Sequence, residues 1–164
     1  YWKNKTLAKT LPIMNFWLIK SEADCYSIDD LKRDGKTPWA GVRNFQARNF
    51  MREMKKGDLG FFYHSSCTPP GVVGIVEVIK EAYPDHTAFD ASEDHYDPAS
   101  RPEKPRWYMV DVKLVERFQR LITLEELKNH PALAEMIINR RGNRLSITPV
   151  TKSEWNTIVK MANR

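Results

Sequence analysis

Three groups of residues in this chain carry side chains able to do chemistry, and their spacing decides how far each can go. His64, Ser65 and Ser66 set a base beside two hydroxyls. Adjacent residues on a strand point to opposite faces, so they cannot hydrogen-bond to each other as a nucleophile and its base must. That argues against local serine hydrolysis. The segment from Tyr83 to Arg106 holds Asp85, His86, Asp90, Glu93, Asp94, His95 and Asp97, which could ligate a metal if folded together. It has neither the EF-hand spacing nor a His-x-x-x-His pair, so a solvated acidic loop is expected, with no metal and no cofactor. Gly71-x-x-Gly74 lies in a strand-like run with no helix after it, unlike the glycine patterns that cradle phosphates.

The third group is of another kind. Trp39, Tyr63 and Trp107 fall at predicted strand ends and turns. Ser21, Asn44 and Ser65 lie beside them, with Lys20, Arg43, Arg48, Arg52 and Arg106 nearby. Holding a flat heterocycle requires such a set, because stacking contributes roughly 1 to 3 kcal/mol per base and hydrogen bonds to the ring edge choose its identity. Each part also has a plainer reading: a Trp can belong to the core, and a charged helix face can simply be solvated. The residue types alone leave that choice open.

The elements that would position these groups can be read from local pattern. Phe16-Trp17-Leu18-Ile19 predicts a buried strand ending in the polar cluster Lys20-Ser21-Glu22. Ser27 with Asp30 resembles a capping box, predicting a short helix to about Arg33 before Gly35. Trp39-Ala40-Gly41-Val42-Arg43-Asn44 then leads to a helix from about Phe45 to Lys56, with Gly57 as its stop. Ala47, Phe50, Met51 and Met54 fall on one face of it, and Arg48, Arg52 and Lys55 on the other. Leu59 to Ser65 and Val72 to Ile79 predict a hairpin, with Gly74 marking a bulge or a close backbone approach. Tyr83 to Arg106 reads as a long loop, of the kind that is usually functional or pinned. Trp107 to Val115 alternates as a strand. Thr123 with Glu126 caps a helix, Pro131 to Ile138 is a further helical segment, and Arg144 to Ile147 a short strand. Thr151 with Glu154 caps a last helix striped by Trp155, Ile158, Val159 and Met161.

Composition bounds the whole. A chain of 164 residues, 41% hydrophobic, 29% charged and 11% aromatic, predicts one folded domain and excludes wholesale disorder. The formal net charge is +5, and setting aside Lys3, Lys5 and Lys9 leaves +2. Such a balance permits nucleic-acid partners without demanding them. Two cysteines, Cys25 and Cys67, are too few for a disulfide scaffold or a thiolate zinc site. No apolar run approaches the roughly 18 residues a membrane span needs, so no membrane partner is expected. The expected setting is cytoplasmic, or nuclear in a eukaryotic source. Met14 reads as a natural start, with residues 1–13 an upstream extension of a domain covering 14–164.

The chain resembles the EVE domain family of the PUA-like superfamily, in particular its thymocyte nuclear protein-like group. The resemblance is carried by Phe-Trp-Leu-Ile-Lys-Ser-Glu (16–22), Trp-Ala-Gly-Val-Arg-Asn-Phe-Gln-Ala-Arg-Asn-Phe (39–50) and Gly-Asp-Leu-Gly-Phe-Phe-Tyr-His-Ser (57–65). Further matches are Pro-Gly-Val-Val-Gly-Ile (70–75), Tyr-Pro-Asp-His-Thr-Ala-Phe-Asp (83–90), His-Tyr-Asp-Pro-Ala-Ser (95–100), Pro-Arg-Trp-Tyr-Met-Val-Asp-Val (105–112) and Arg-Leu-Ser-Ile-Thr-Pro-Val (144–150). One departure is Ala23, where the family carries Pro.

The resemblance implies an α+β fold, a PUA-like mixed β-barrel flanked by several helices. A monomer is expected. The resemblance also implies a binding module for modified bases in DNA or RNA, such as 5-methylcytosine or an oxidised form, and not an enzyme. Carried to this sequence, the pocket would use Lys20, Ser21 and Glu22, then Trp39, Val42, Arg43 and Asn44, then Tyr63, His64 and Ser65. Arg106 and Trp107 would complete its rim. Trp39 and a second aromatic would stack the everted base, Asn44 and Ser21 would read its edge, and a wall near Val42 would favour a methyl. Arg43, Arg48, Arg52 and Lys55 would meet phosphates. Two alternatives remain: a hydrolase of modified nucleosides or amides using Lys20, Glu22 and His64, and a binder of a free small ligand or a protein.

Overall fold

The computed structural model describes residues 14–164, so the reading of residues 1–13 as an extension lies outside the described residues. Among the described residues six strands form one mixed sheet: β1 (Phe16–Glu22), β2 (Lys36–Pro38), β3 (Leu59–Ser65), β4 (Gly71–Pro84), β5 (Tyr108–Thr123) and β6 (Ile147–Val150), in the order β2-β5-β4-β3-β1-β6. Only β1 and β3 run parallel, Phe16 opposite Leu59 through Glu22 opposite Ser65; the other pairs are antiparallel. Both edge strands carry a proline, Pro38 and Pro149, where a missing N–H costs least.

Alternation along the strands fills two cores. Trp17, Ile19 and Phe62 face one with Val110 and Met51, while Leu18, Phe61 and Tyr63 face the other with Ile122 and Trp155. Among the described residues four helices cover the sheet: α1 (Ile28–Asp34), α2 (Phe45–Glu53), α3 (Leu124–Asn129) and α4 (Lys152–Ala162). Helix α2 touches β4, β5 and β6. A helix is about 10 Å across, while β5 and β6 are four strand spacings of about 4.8 Å apart, so the sheet must curl around it. That curl is the mixed barrel of the PUA-like fold.

The predicted capping boxes all form, at Ser27/Asp30, Thr123/Glu126 and Thr151/Glu154. Gly74 does mark a close approach: a Cβ there would lie 2.4 Å from the Glu116 carbonyl oxygen, beside a register shift. Several boundaries differ from expectation. Helix α2 ends at Glu53, not near Lys56, because Met54 turns to extended backbone and is buried. Strand β2 has no alternation to announce it, and β4 and β5 run on past their predicted ends because they pair along their whole length, β4 as far as Pro84 opposite Tyr108 and β5 as far as Thr123 opposite Gly71. The stretch Pro131–Ile138 resolves into two 3-10 turns, Pro131–Leu133 and Ile137–Asn139. The short strand predicted over Arg144–Ile147 begins only at Ile147.

Candidate functional site

The parallel strands β1 and β3 end side by side, and a cavity of about 610 Å³ opens beyond their carboxyl ends. Such strand ends are a favoured place for ligands in mixed sheets. Lys20, Ser21 and Glu22 line it from β1, and Ser65 from β3. Cys25 and Tyr26 come from the turn into α1, Thr37 and Pro38 from β2, and Trp39, Ala40 and Gly41 from the loop after it. His95 of the long loop and Arg144 with Ser146 before β6 complete the wall.

Trp39 is 8% exposed, yet it borders the cavity. Its ring meets Phe62 edge-on, with centroids 5.4 Å apart at 90°, and its backbone N–H donates to Val110 O at 2.7 Å. The indole is therefore part core and part wall. Tyr26 supplies the second aromatic ring of the lining and is held by its hydroxyl donating to Asp34 (2.8 Å). The Ser21 hydroxyl donates to Tyr26 O at 2.6 Å, tying the β1 end to that turn.

The polar groups of the wall are of both signs. Lys20 makes no ion pair among the described residues, and its Nζ lies 5.9 Å from the Tyr63 ring centroid. Burial pushes its ammonium below the usual lysine value. Glu22 is exposed and accepts from the Cys25 thiol at 3.3 Å; that bond and its charge raise the thiol above its ordinary value.

One buried carboxylate organises the far wall. Asp85 is fully buried and accepts from Gly41 N (2.8 Å), Arg43 Nη1 (2.9 Å), Thr87 N (2.9 Å) and Thr87 Oγ1 (2.6 Å). Burial pushes its carboxyl up, but those hydrogen bonds and the guanidinium together outweigh burial and hold it below the usual carboxylate range. Arg43 Nε also donates to His95 O at 2.9 Å, so the same pair carries His95 to the rim. Gly41 sits at φ +84°, and a Cβ on it would lie 2.7 Å from His95 Cδ2. Only glycine fits both the backbone and the ring above it.

Several residues expected in the pocket are placed elsewhere. Asn44 caps α2, its Oδ1 accepting from Ala47 N at 2.9 Å, and Val42 is buried in the core; neither lines the cavity. Arg43 stands behind the wall, paired with Asp85. Tyr63 is buried in the second core, which raises its phenol to about 12. His64 Nε2 accepts from Ile28 N at 3.0 Å, and burial holds the ring below the usual histidine value. Trp107, expected on the rim, is 5% exposed; it stacks on Phe45 and donates from Nε1 to Asp97 at 2.6 Å. Arg106 pairs with that same Asp97 at 3.7 Å.

On α2, Arg48 donates to Arg106 O and lies over Phe45, Arg52 lies over Tyr108, and Lys55 pairs with Glu81. None of these three lines the cavity. The lining residues not foreseen come from loops and from the short strand β2. Tyr26 follows the polar strand end closely enough to have been found, and His95 lies in the long segment already marked by its composition.

The family model described as the EVE domain matches residues 15–161. The chain belongs to the EVE domain family. Thymocyte nuclear protein 1 of Mus musculus is 44% identical over 169 residues, covering 91% of this chain and 74% of the relative. The crystal structure of human THYN1 protein in complex with 5-methylcytosine containing DNA superposes with a TM-score of 0.87 at 42% identity, covering 92% of this chain and 98% of that one. Protein PSPTO5229 from Pseudomonas syringae gives 0.88 at 45%, covering 90% and 99%. A YTH domain of Zygosaccharomyces rouxii MRB1 protein gives 0.55 at 16%, covering 94% and 87%, and shares the fold with this EVE domain.

Proposed function

We propose that this EVE domain is a binding module that takes a modified base of a nucleic acid, with 5-methylcytosine the leading candidate, out of its stack and into the cavity beside Trp39. The observation that carries the reading is the cavity itself: an indole and a phenol ring share its wall with an unpaired ammonium and a carboxylate. Aromatic faces recover the few kcal/mol that eversion costs. Cytosine offers a donor at N4 and acceptors elsewhere on its pairing edge, which Glu22 and Lys20 complement in sign. The likeness to a relative crystallised with 5-methylcytosine containing DNA supports the same choice.

Binding without turnover is the companion reading. The hydrolase alternative needs His64 as a base beside Lys20 and Glu22, but the His64 ring stands outside the lining with Nε2 already accepting from Ile28. The test is a titration of labelled oligonucleotides identical except for one cytosine, plain or 5-methylated. The methyl should improve binding by about 1 to 3 kcal/mol, the worth of one such group in an apolar pocket. Equal or negligible binding of both forms rejects the reading.

A further inference from the structure

Resting on that pocket reading, we propose that the turn Arg140–Arg144 is the surface on which the protein grips the phosphodiester backbone beside the everted nucleotide. The turn belongs to the pocket: Arg144 lines the cavity, and two residues on Ser146 lines it too, its carbonyl accepting from Lys20 N at 2.8 Å. Asn143 N donates to Arg140 O at 3.2 Å and Gly142 takes φ +78°, which closes the reversal. Such a closed turn keeps its first and fourth Cα atoms within about 7 Å, so Arg140 and Arg141 stay near the cavity mouth. Asn139, just before it, donates from Nδ2 to Leu127 O and Leu133 O, so the turn stands on fixed ground.

Charge singles out this turn. Arg140, Arg141 and Arg144 are exposed and make no ion pair among the described residues, and no carboxylate occurs in the chain between Glu135 and Glu154. The basic side chains expected at phosphates or on the rim are engaged, Lys55 among them with Glu81. Arg43 and Arg106 hold Asp85 and Asp97, while Arg48 and Arg52 of α2 lie over aromatic rings. Arg140 Nη2 donates to Glu135 O at 3.4 Å, and among the described residues no carboxylate neutralises any of the three turn arginines. A cluster of unneutralised guanidiniums beside a ring-binding cavity fits a polyanion whose charges flank the ring, and forked donors match phosphate oxygens.

The experiment titrates a labelled single-stranded DNA carrying one 5-methylcytosine, and the same strand with plain cytosine, at several salt concentrations, against three proteins: wild type, Arg140→Gln with Arg141→Gln, and Arg52→Gln with Lys55→Gln. Binding of the free nucleoside 5-methyldeoxycytidine, read by tryptophan fluorescence, accompanies each. The turn variant should lose at least tenfold in oligonucleotide affinity, and its salt slope should fall by about 0.7 for each lost phosphate contact. Its nucleoside binding should stay within twofold of wild type, which also shows the cavity is intact. The α2 variant should lose less. An unchanged salt slope in the turn variant, or a greater loss in the α2 variant, overturns the proposal and leaves the pocket reading standing. Loss of slope in the turn variant with no preference for the methylated strand does the reverse. No oligonucleotide binding by wild type overturns both.

Discussion

Lys20 shows how a residue can cost stability and supply function. Its ammonium is half-buried at the end of β1 with no carboxylate paired to it, and burial lowers its pKa from the usual lysine value. The charged form therefore fits the folded protein less well than it fits water, and the protein carries that cost at neutral pH. An acceptor on a bound base would restore what water supplied. Lys20→Met should accordingly leave the melting temperature unchanged or raise it, while weakening oligonucleotide binding at least tenfold. A thermal melt run beside a titration checks both halves; a destabilised variant that binds normally would make Lys20 a structural residue. Trp39 combines the same two roles less separably, since its edge packs on Phe62 while it borders the cavity.

Elements rather than single side chains hold the wall in place, and two of the contacts that fasten elements depend on pH. The loop 39–43 and the segment 85–97 are fastened by Asp85. Asp85→Asn should cost about 3 kcal/mol, the lower end for breaking a buried pair, since Arg43 keeps some contact with solvent. The shift in denaturant midpoint measures the loss, and faster amide exchange at Gly41 would locate it. Because the folded carboxyl titrates below its usual value of 3.8, its contribution is complete above that pH and is lost as pH falls through the lowered value. His64 behaves alike in a higher window. Its folded pKa lies below 6.5, so neutral His64 secures the start of α1 above that pH, and protonation on acidification removes the acceptor for Ile28 N–H. Amide exchange at Ile28 should therefore quicken as pH drops through the lowered value, beyond the ordinary change in intrinsic exchange, and His64→Phe should abolish that dependence. The helix starts were legible in the sequence because a capping box is a contact between residues three apart, as at Ser27 and Asp30. Strand β2 was not, because Lys36–Pro38 pairs with residues more than seventy positions away.

Over the whole molecule, the sheet divides two duties between its faces, and that division explains what the sequence could and could not disclose about the site. The cluster Lys20-Ser21-Glu22 was legible because an apolar run ending in polar residues points to a strand end. The places of Asn44, Tyr63 and Trp107 were not legible, because a helix cap, a core phenol and a buried indole use the same residue types as a ring-binding cage. Only the three-dimensional neighbours decide between those uses. The consecutive phenylalanines of β3 make the division testable. Phe61 faces the core under α4, stacked on Trp155 with centroids 3.9 Å apart, whereas Phe62 faces the other core and abuts Trp39. Both are fully buried, so Phe61→Leu and Phe62→Leu should each destabilise the fold by an amount of similar order, about 1 to 2 kcal/mol. Their effects on binding should part company. With Phe61→Leu the cavity wall is untouched, and affinity for the methylated oligonucleotide should stay within twofold of wild type. With Phe62→Leu the Trp39 indole loses its edge-on support and can tilt, and affinity should fall several-fold. Unfolding curves and titrations on the same two variants read both quantities. Equal losses of affinity would mean that the cavity depends on the stability of the whole sheet rather than on the face that Trp39 shares with Phe62.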